Sequence, residues 1–391
     1  MYSEDDINSA VAAGALSAES AASFRQHISR ARALPRQSEE NFKLINSFND
    51  IFVAIGIVIL LVAVGAIGQA MAGVFVPVET FLEFVDRVPD PSETQLEAWE
   101  AKTDVHNAVS GALAGLFIAL AAWPLSEFFT RKRRMALPSI LLLLAFVCGS
   151  FAAVFGLGAA VGTMDNDVLG ALIITLSGIV AAGAALLHWR RFQVPITVAA
   201  AAGVAVLSLL LAIAGVLQIE PSEPGFLVPV LIAGMVVFGF AMRWDISDRE
   251  RTTRRSDVAF WLHLVAAPLI AHPIFALIGV TEGAISPASA IGVLGVYIAF
   301  GLIALAIDRR ALLVSALAYV LFALAFLFQE FGAVELGFAL TALIIGSALL
   351  SLSAFWQTIR SRVVSALPAN VRAKLPHPEM VVPLAPEPSA A

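Results

Sequence analysis

Charge and cysteine are what this sequence has least of. Only 14% of its residues are Asp, Glu, Lys or Arg, against roughly a quarter in an ordinary soluble domain, so a soluble enzyme is excluded. The one cysteine, Cys148, lies in an apolar run. It can form no intramolecular disulfide and can supply at most one ligand of a metal site; it reads as a small buried hydrophobe. Lys+Arg 24 against Asp+Glu 30 gives a net charge of −6, which supplies no basic field for nucleic acid. A P-loop, GxSxG, HExxH or dinucleotide fingerprint in a credible context is missing. So are the paired carboxylates and histidine clusters usual in polytopic enzymes. No enzymatic activity, catalytic residue, metal or cofactor is expected. Glu4, Asp5 and Asp6 stand where a signal peptide has basic residues, and the first apolar run begins only at Ile51, so the first span is expected to direct insertion itself.

What the chain does have is hydrophobic residues, 59% of 391, gathered in long blocks. A membrane span needs about 20 apolar residues at 1.5 Å rise each. Ten blocks of about that length occur, at 51–72, 107–129, 136–161, 168–188, 194–217, 226–242, 258–280, 287–307, 311–328 and 336–356. The fold class is therefore all-α, a polytopic transmembrane helix bundle. Basic residues are retained on the cytoplasmic side. With both termini inside (N-in, C-in), 22 of the 24 Lys and Arg fall in cytoplasmic segments, and only Arg87 and Lys102 fall outside.

Three regions are expected. Residues 1–48 hold a cytoplasmic helical hairpin and linker: Ser3 with Asp6 fits a capping box, Gly14 ends the first helix and Ser17 caps the second. A hairpin over 3–34 is too small to bury a core alone, so it is expected to pack on the membrane face, on a second copy of itself or on a cytoplasmic protein partner. Residues 49–356 form the ten-span domain, with one long external loop at 73–106. There Val78, Phe81, Leu82 and Val85 make the apolar stripe of an interfacial helix, and Ser92 with Gln95 starts a second helix that runs through Trp99 and His106 into the next span. Residues 357–391 are a tail in which Arg360 and Arg362 beside Ile359, Val363 and Val364 suit anionic lipid headgroups. Six prolines after Leu367 then favour extended chain.

An ionisable side chain in hydrocarbon is costly and marks function by default. Eight of the ten interiors contain none, His188 lying at the very end of its block. The second has Glu127 beside Arg131, a boundary ion pair. The exception is the seventh, where His263, Pro268, His272 and Pro273 interrupt an apolar segment. Each proline removes a backbone donor, and broken spans of this kind hold the binding sites of many transporters; these four residues are the candidate substrate-binding site. The histidines are nine residues apart, about 13.5 Å along a regular helix and on opposite faces, which argues against a shared metal. Gly149, Gly156, Gly158, Gly162 and Gly346 suit close helix packing.

Ala13-Gly14-Ala15-Leu16-Ser17-Ala18-Glu19, Phe48-Asn49-Asp50-Ile51-Phe52, Arg133-Arg134-Met135-Ala136-Leu137-Pro138-Ser139 and Trp261-Leu262-His263 with His272-Pro273 together resemble a group of uncharacterised proteobacterial multi-pass membrane proteins. That resemblance implies a bacterial inner membrane and no particular activity. The ten-span plan is also similar to the drug/metabolite transporter superfamily, without its five-plus-five repeat. Two functions follow as expectations: a transporter or permease of a small or lipid-like solute, or a non-transporting scaffold or envelope assembly and stress factor that binds a partner through the hairpin.

Overall fold

The computed structural model describes residues 4–24, 48–161, 166–220, 223–251, 253–279, 286–330 and 337–376. Two units are present. The first, residues 1–42 with 377–391, shows a helix α1 (Glu4–Ala12) and a second helical stretch α2 at 18–24. Gly14 turns the chain at φ 70°, a conformation that costs glycine nothing. The Ser17 hydroxyl accepts the Ser20 amide at 3.0 Å, the expected cap. Ser3, Ile28, Arg25, Arg30, Arg32 and Arg36 of this unit, Lys43 and Gly162 of the other, and the proline-rich end lie outside the described residues.

The second unit, residues 43–376, is built from helices α3 (Phe48–Phe75), α4 (Phe81–Arg87), α5 (Glu93–Ser126), α6 (Ala136–Ala160), α7 (Asp167–Phe192), α8 (Ile196–Leu217), α9 (Leu227–Ser247), α10 (Arg254–Leu277), α11 (Pro287–Ile307), α12 (Ala311–Glu330), α13 (Gly337–Ala354), α14 (Trp356–Ala366) and α15 (Ala369–Arg372). No strand occurs among the described residues. Nine helices among them are long and apolar enough to cross a membrane; a tenth is added if residues 339–354 and α14, bent by 76°, count as one span. The protein is a polytopic helical membrane bundle.

Local chemistry sets the ends. Asn166 caps α7 by accepting the Val168 and Leu169 amides, and Ser286 caps α11 by accepting that of Ser289. Gln193, Gln218 and Asp308 close α7, α8 and α11 in the left-handed region. Close packing comes from glycine. A Cβ built on Gly149 of α6 would stand 2.6 Å from the Gly115 carbonyl oxygen of α5, and one on Gly115 would stand 2.6 Å from that of Gly149. Gly156 and Gly158 are similarly crowded, by Ala108 and Ile173, whereas a Cβ on Gly346 would meet nothing within 4 Å among the described residues. Cys148 is exposed on the bundle surface rather than buried, which its apolar surroundings in lipid permit.

The loop before α5 folds as expected in outline. Thr80 and Glu83 form a capping box for α4, the Ser92 amide bonds the Gln95 side chain at 3.0 Å, and α5 continues unbroken past Trp99 and His106. The inward residue of α4 is Phe84, stacked on Trp99 at 5.6 Å, while Leu82 is exposed. Phe81 of the expected stripe also meets Trp99, edge-on at 5.4 Å, so the short helix packs its two phenylalanines on α5. Arg87 binds Glu79 through its Nε at 3.0 Å, and this hydrogen bond, first among the causes, holds the Glu79 carboxyl below the ordinary carboxylate range.

Bonds in series join the basic segments at one end of the bundle. Glu127 pairs with Arg131 and with Arg191, Gln193 accepts from Arg254, Arg251 binds Asp308, and Asp308 accepts from Trp356. The turns that carry the positive charge therefore share a face.

Candidate functional site

At this basic end the ends of α9, α10, α11 and α14 enclose a network of charged side chains. Of the nine long apolar helices among the described residues α10 is the most enclosed, with 56% of its apolar stretch buried against 22–33% in the other eight. Its sequence explains this, because Ala259, Ala266, Ala267 and Ala271 let neighbours approach closely, and all four are fully buried.

The centre is Asp245, in the last turn of α9. Its Oδ2 lies 2.8 Å from His263 Nε2, and its Oδ1 accepts Arg309 Nη2 at 2.7 Å. The same Arg309 nitrogen reaches the Ser256 carbonyl at 2.9 Å. The three side chains are 1–3% exposed, and Phe238 packs edge-on against the imidazole at 5.1 Å. Two partners on one carboxylate satisfy it where water is excluded; an unpaired charge there would be heavily penalised.

Asp308 forms the second centre, in the turn between α11 and α12. Its Oδ2 accepts Arg251 Nη1 at 2.8 Å and its Oδ1 accepts Trp356 Nε1 at 2.6 Å. Arg360 Nε stands 3.6 Å from the same Oδ1, and its Nη2 donates to the Pro376 carbonyl at 2.9 Å. Asp308 holds φ 57°, where glycine would be less strained; an aspartate there gains three side-chain contacts that glycine lacks. Burial, followed by the Arg309 charge, lowers the Arg251 guanidinium below its ordinary range while Asp308 opposes the shift. A guanidinium remains charged in proteins regardless.

Of the sequence candidates, only His263 belongs to this network. His272 sits elsewhere on α10, its Nδ1 2.7 Å from the Tyr319 hydroxyl of α12. The two histidines thus have separate neighbours, a carboxylate and a phenol. Pro268 is exposed and Pro273 buried. Neither breaks the span, since α10 is one continuous helix through both. Arg360 does not face lipid headgroups: Trp356, Arg360 and Val364, four residues apart, are the buried face of α14, and Arg362 is on its exposed side.

Sequence reading missed Asp245, Asp308 and Arg309. Block 226–242 stops short of the real helix end at Ser247, which leaves Asp245 beyond the expected span, and Arg309 has a sufficient explanation in the sequence as a topology signal. Among the described residues no group of three His, Cys, Asp or Glu is placed to hold a metal. No family model matches this chain, nor does any curated protein or solved structure.

Proposed function

We propose that the protein is a proton-linked transporter or permease of a small or lipid-like solute, non-enzymatic, set in a bacterial inner membrane with both termini in the cytoplasm. The observation that carries this reading is the Asp245–His263–Arg309 cluster inside the spanning bundle. A carboxylate and an imidazole in contact, shielded from solvent, form a proton-accepting pair of the kind used in relays. With a neutral imidazole, Asp245 and Arg309 cancel. A proton on His263 leaves one excess positive charge in a medium of low dielectric. Arg309 is the member able to relieve it, because it stands on a turn rather than within a helix. The other charges acting on the pair are Arg251, and on Arg309 also Asp257.

The basic side chains that favour the cytoplasmic assignment are those linked in series above; the resemblance of the quoted motifs to proteobacterial membrane proteins supports the compartment. The test uses purified protein in liposomes carrying an internal pH dye and challenged with fractions of a bacterial small-molecule extract. At least one fraction is expected to drive proton entry in the wild type and not in His263→Gln. If every fraction leaves wild type and variant indistinguishable, proton-linked transport is wrong, and recovery of a stoichiometric protein bound through residues 3–34 would favour the scaffold instead.

A further inference from the structure

Although α10 is the most enclosed span, one strip along it is open. Leu264, Pro268 and His272, four residues apart and so on one face, are exposed. α8 and α12 flank it. A Cβ on Gly203 of α8 would meet Val265 at 4.0 Å, and Tyr319 of α12 bonds His272 while its ring stacks on Phe275 at 4.6 Å. The strip therefore lies beside the contacts of α10 with α8 and α12, and the groove proposed below is the space along it between those two helices.

Polar groups in this groove lack the partners that hydrocarbon makes necessary. Pro268 has no amide hydrogen to give the Leu264 carbonyl, one turn before it. His272 uses Nδ1 on Tyr319, and its Nε2 has no partner among the described residues. An ionisable side chain within a span normally faces protein or a polar cavity, so an open one on the most buried helix calls for a polar occupant. No Asp, Glu, Lys or Arg occurs in α8, in residues 258–277 or in 311–328. A charged occupant would find no counter-ion there, whereas a hydroxyl can both donate and accept.

We propose that this groove binds the uncharged, hydroxyl-bearing head of an amphiphile that enters from the bilayer, with His272 Nε2 and the Leu264 carbonyl as its polar partners and the apolar walls taking its chains. This names the substrate class of the transport reading and rests on it. The probe is a diacylglycerol with a photoreactive group in one acyl chain, presented to the protein in lipid nanodiscs. Labelling of α10 and α12 peptides is expected to saturate and to be competed by unlabelled diacylglycerol. It should fall about tenfold for His272→Ala and for the probe whose hydroxyl is methylated, the factor that goes with one lost hydrogen bond. Tyr319→Phe, which keeps the ring stack, should weaken labelling less. Labelling that does not saturate, or that is equal for the methylated probe, would overturn the groove as a site. His263→Gln separates the two readings. Retained labelling with lost proton-linked flux supports both, whereas flux that persists in the wild type without saturable labelling removes the groove alone. Saturable labelling with no flux in any fraction leaves a lipid site and removes transport.

Discussion

Asp245→Ala is expected to lower the stability of the bundle by about 3–5 kcal/mol, the usual result of removing one partner from a buried ion pair. Its carboxylate is 1% exposed and holds both Arg309 and His263. With it gone, the guanidinium keeps the Ser256 carbonyl as acceptor but loses its counter-charge. The cost lies in the orphaned charge more than in the lost attraction, which makes a second variant decisive. Asp245→Leu with Arg309→Met removes both charges and fills similar volume, and should recover most of the loss. Thermal unfolding in detergent reads both. A double variant as unstable as Asp245→Ala would show that the cluster stabilises by geometry and not by charge pairing.

Gly149→Val is the next most damaging change. The α5–α6 crossing is close enough that even a methyl group on Gly149 would lie 2.6 Å from the Gly115 carbonyl oxygen and 3.0 Å from the Ala119 amide nitrogen. Backbone cannot rotate out of the way as a side chain can, so the helices must separate. Overpacking of this kind costs about 1–3 kcal/mol. Gly111, on the same α5, has nothing within 4 Å of a built Cβ, and Gly111→Ala should be neutral or stabilising by up to about 1 kcal/mol through helix propensity. Equal melting temperatures for the two variants would show that the crossing is looser than the geometry described above.

The spans were legible in the sequence because lipid demands long apolar helices, and length with composition is nearly the whole signal. The tenth was the least legible, since the bend of 76° at Phe355 has no proline to announce it. His263 was also legible, as a rare ionisable residue in an apolar run. Its partner was not. Asp245 is 18 residues away and Arg309 lies 64 residues beyond Asp245, in turns whose charges have an adequate local explanation as topology signals. A composition window that ends a helix at its first arginine, here Arg243, also places Asp245 outside the bilayer. Arg360 misled for a related reason: the amphipathic pattern of α14 was visible, but which face packs inward depended on Asp308, a contact of 52 residues' separation. Gly115 carries no signal of its own in the sequence, because its role exists only opposite Gly149.

The most direct test of the proton-linked cluster is the access of solvent to the helix behind it. Cys148→Ser removes the one native thiol, and Ala259→Cys places a new one at a fully buried position of α10, one turn from Ser256. Reaction with a membrane-impermeant maleimide, normalised to Arg133→Cys to cancel the effect of pH on the thiol itself, reports opening of the basic end. The normalised rate at position 259 is predicted to rise as pH falls, as a proton on His263 releases Arg309, and to become independent of pH in His263→Gln. A rate that does not change with pH in the wild type, or that changes equally in the variant, would contradict proton control by this cluster.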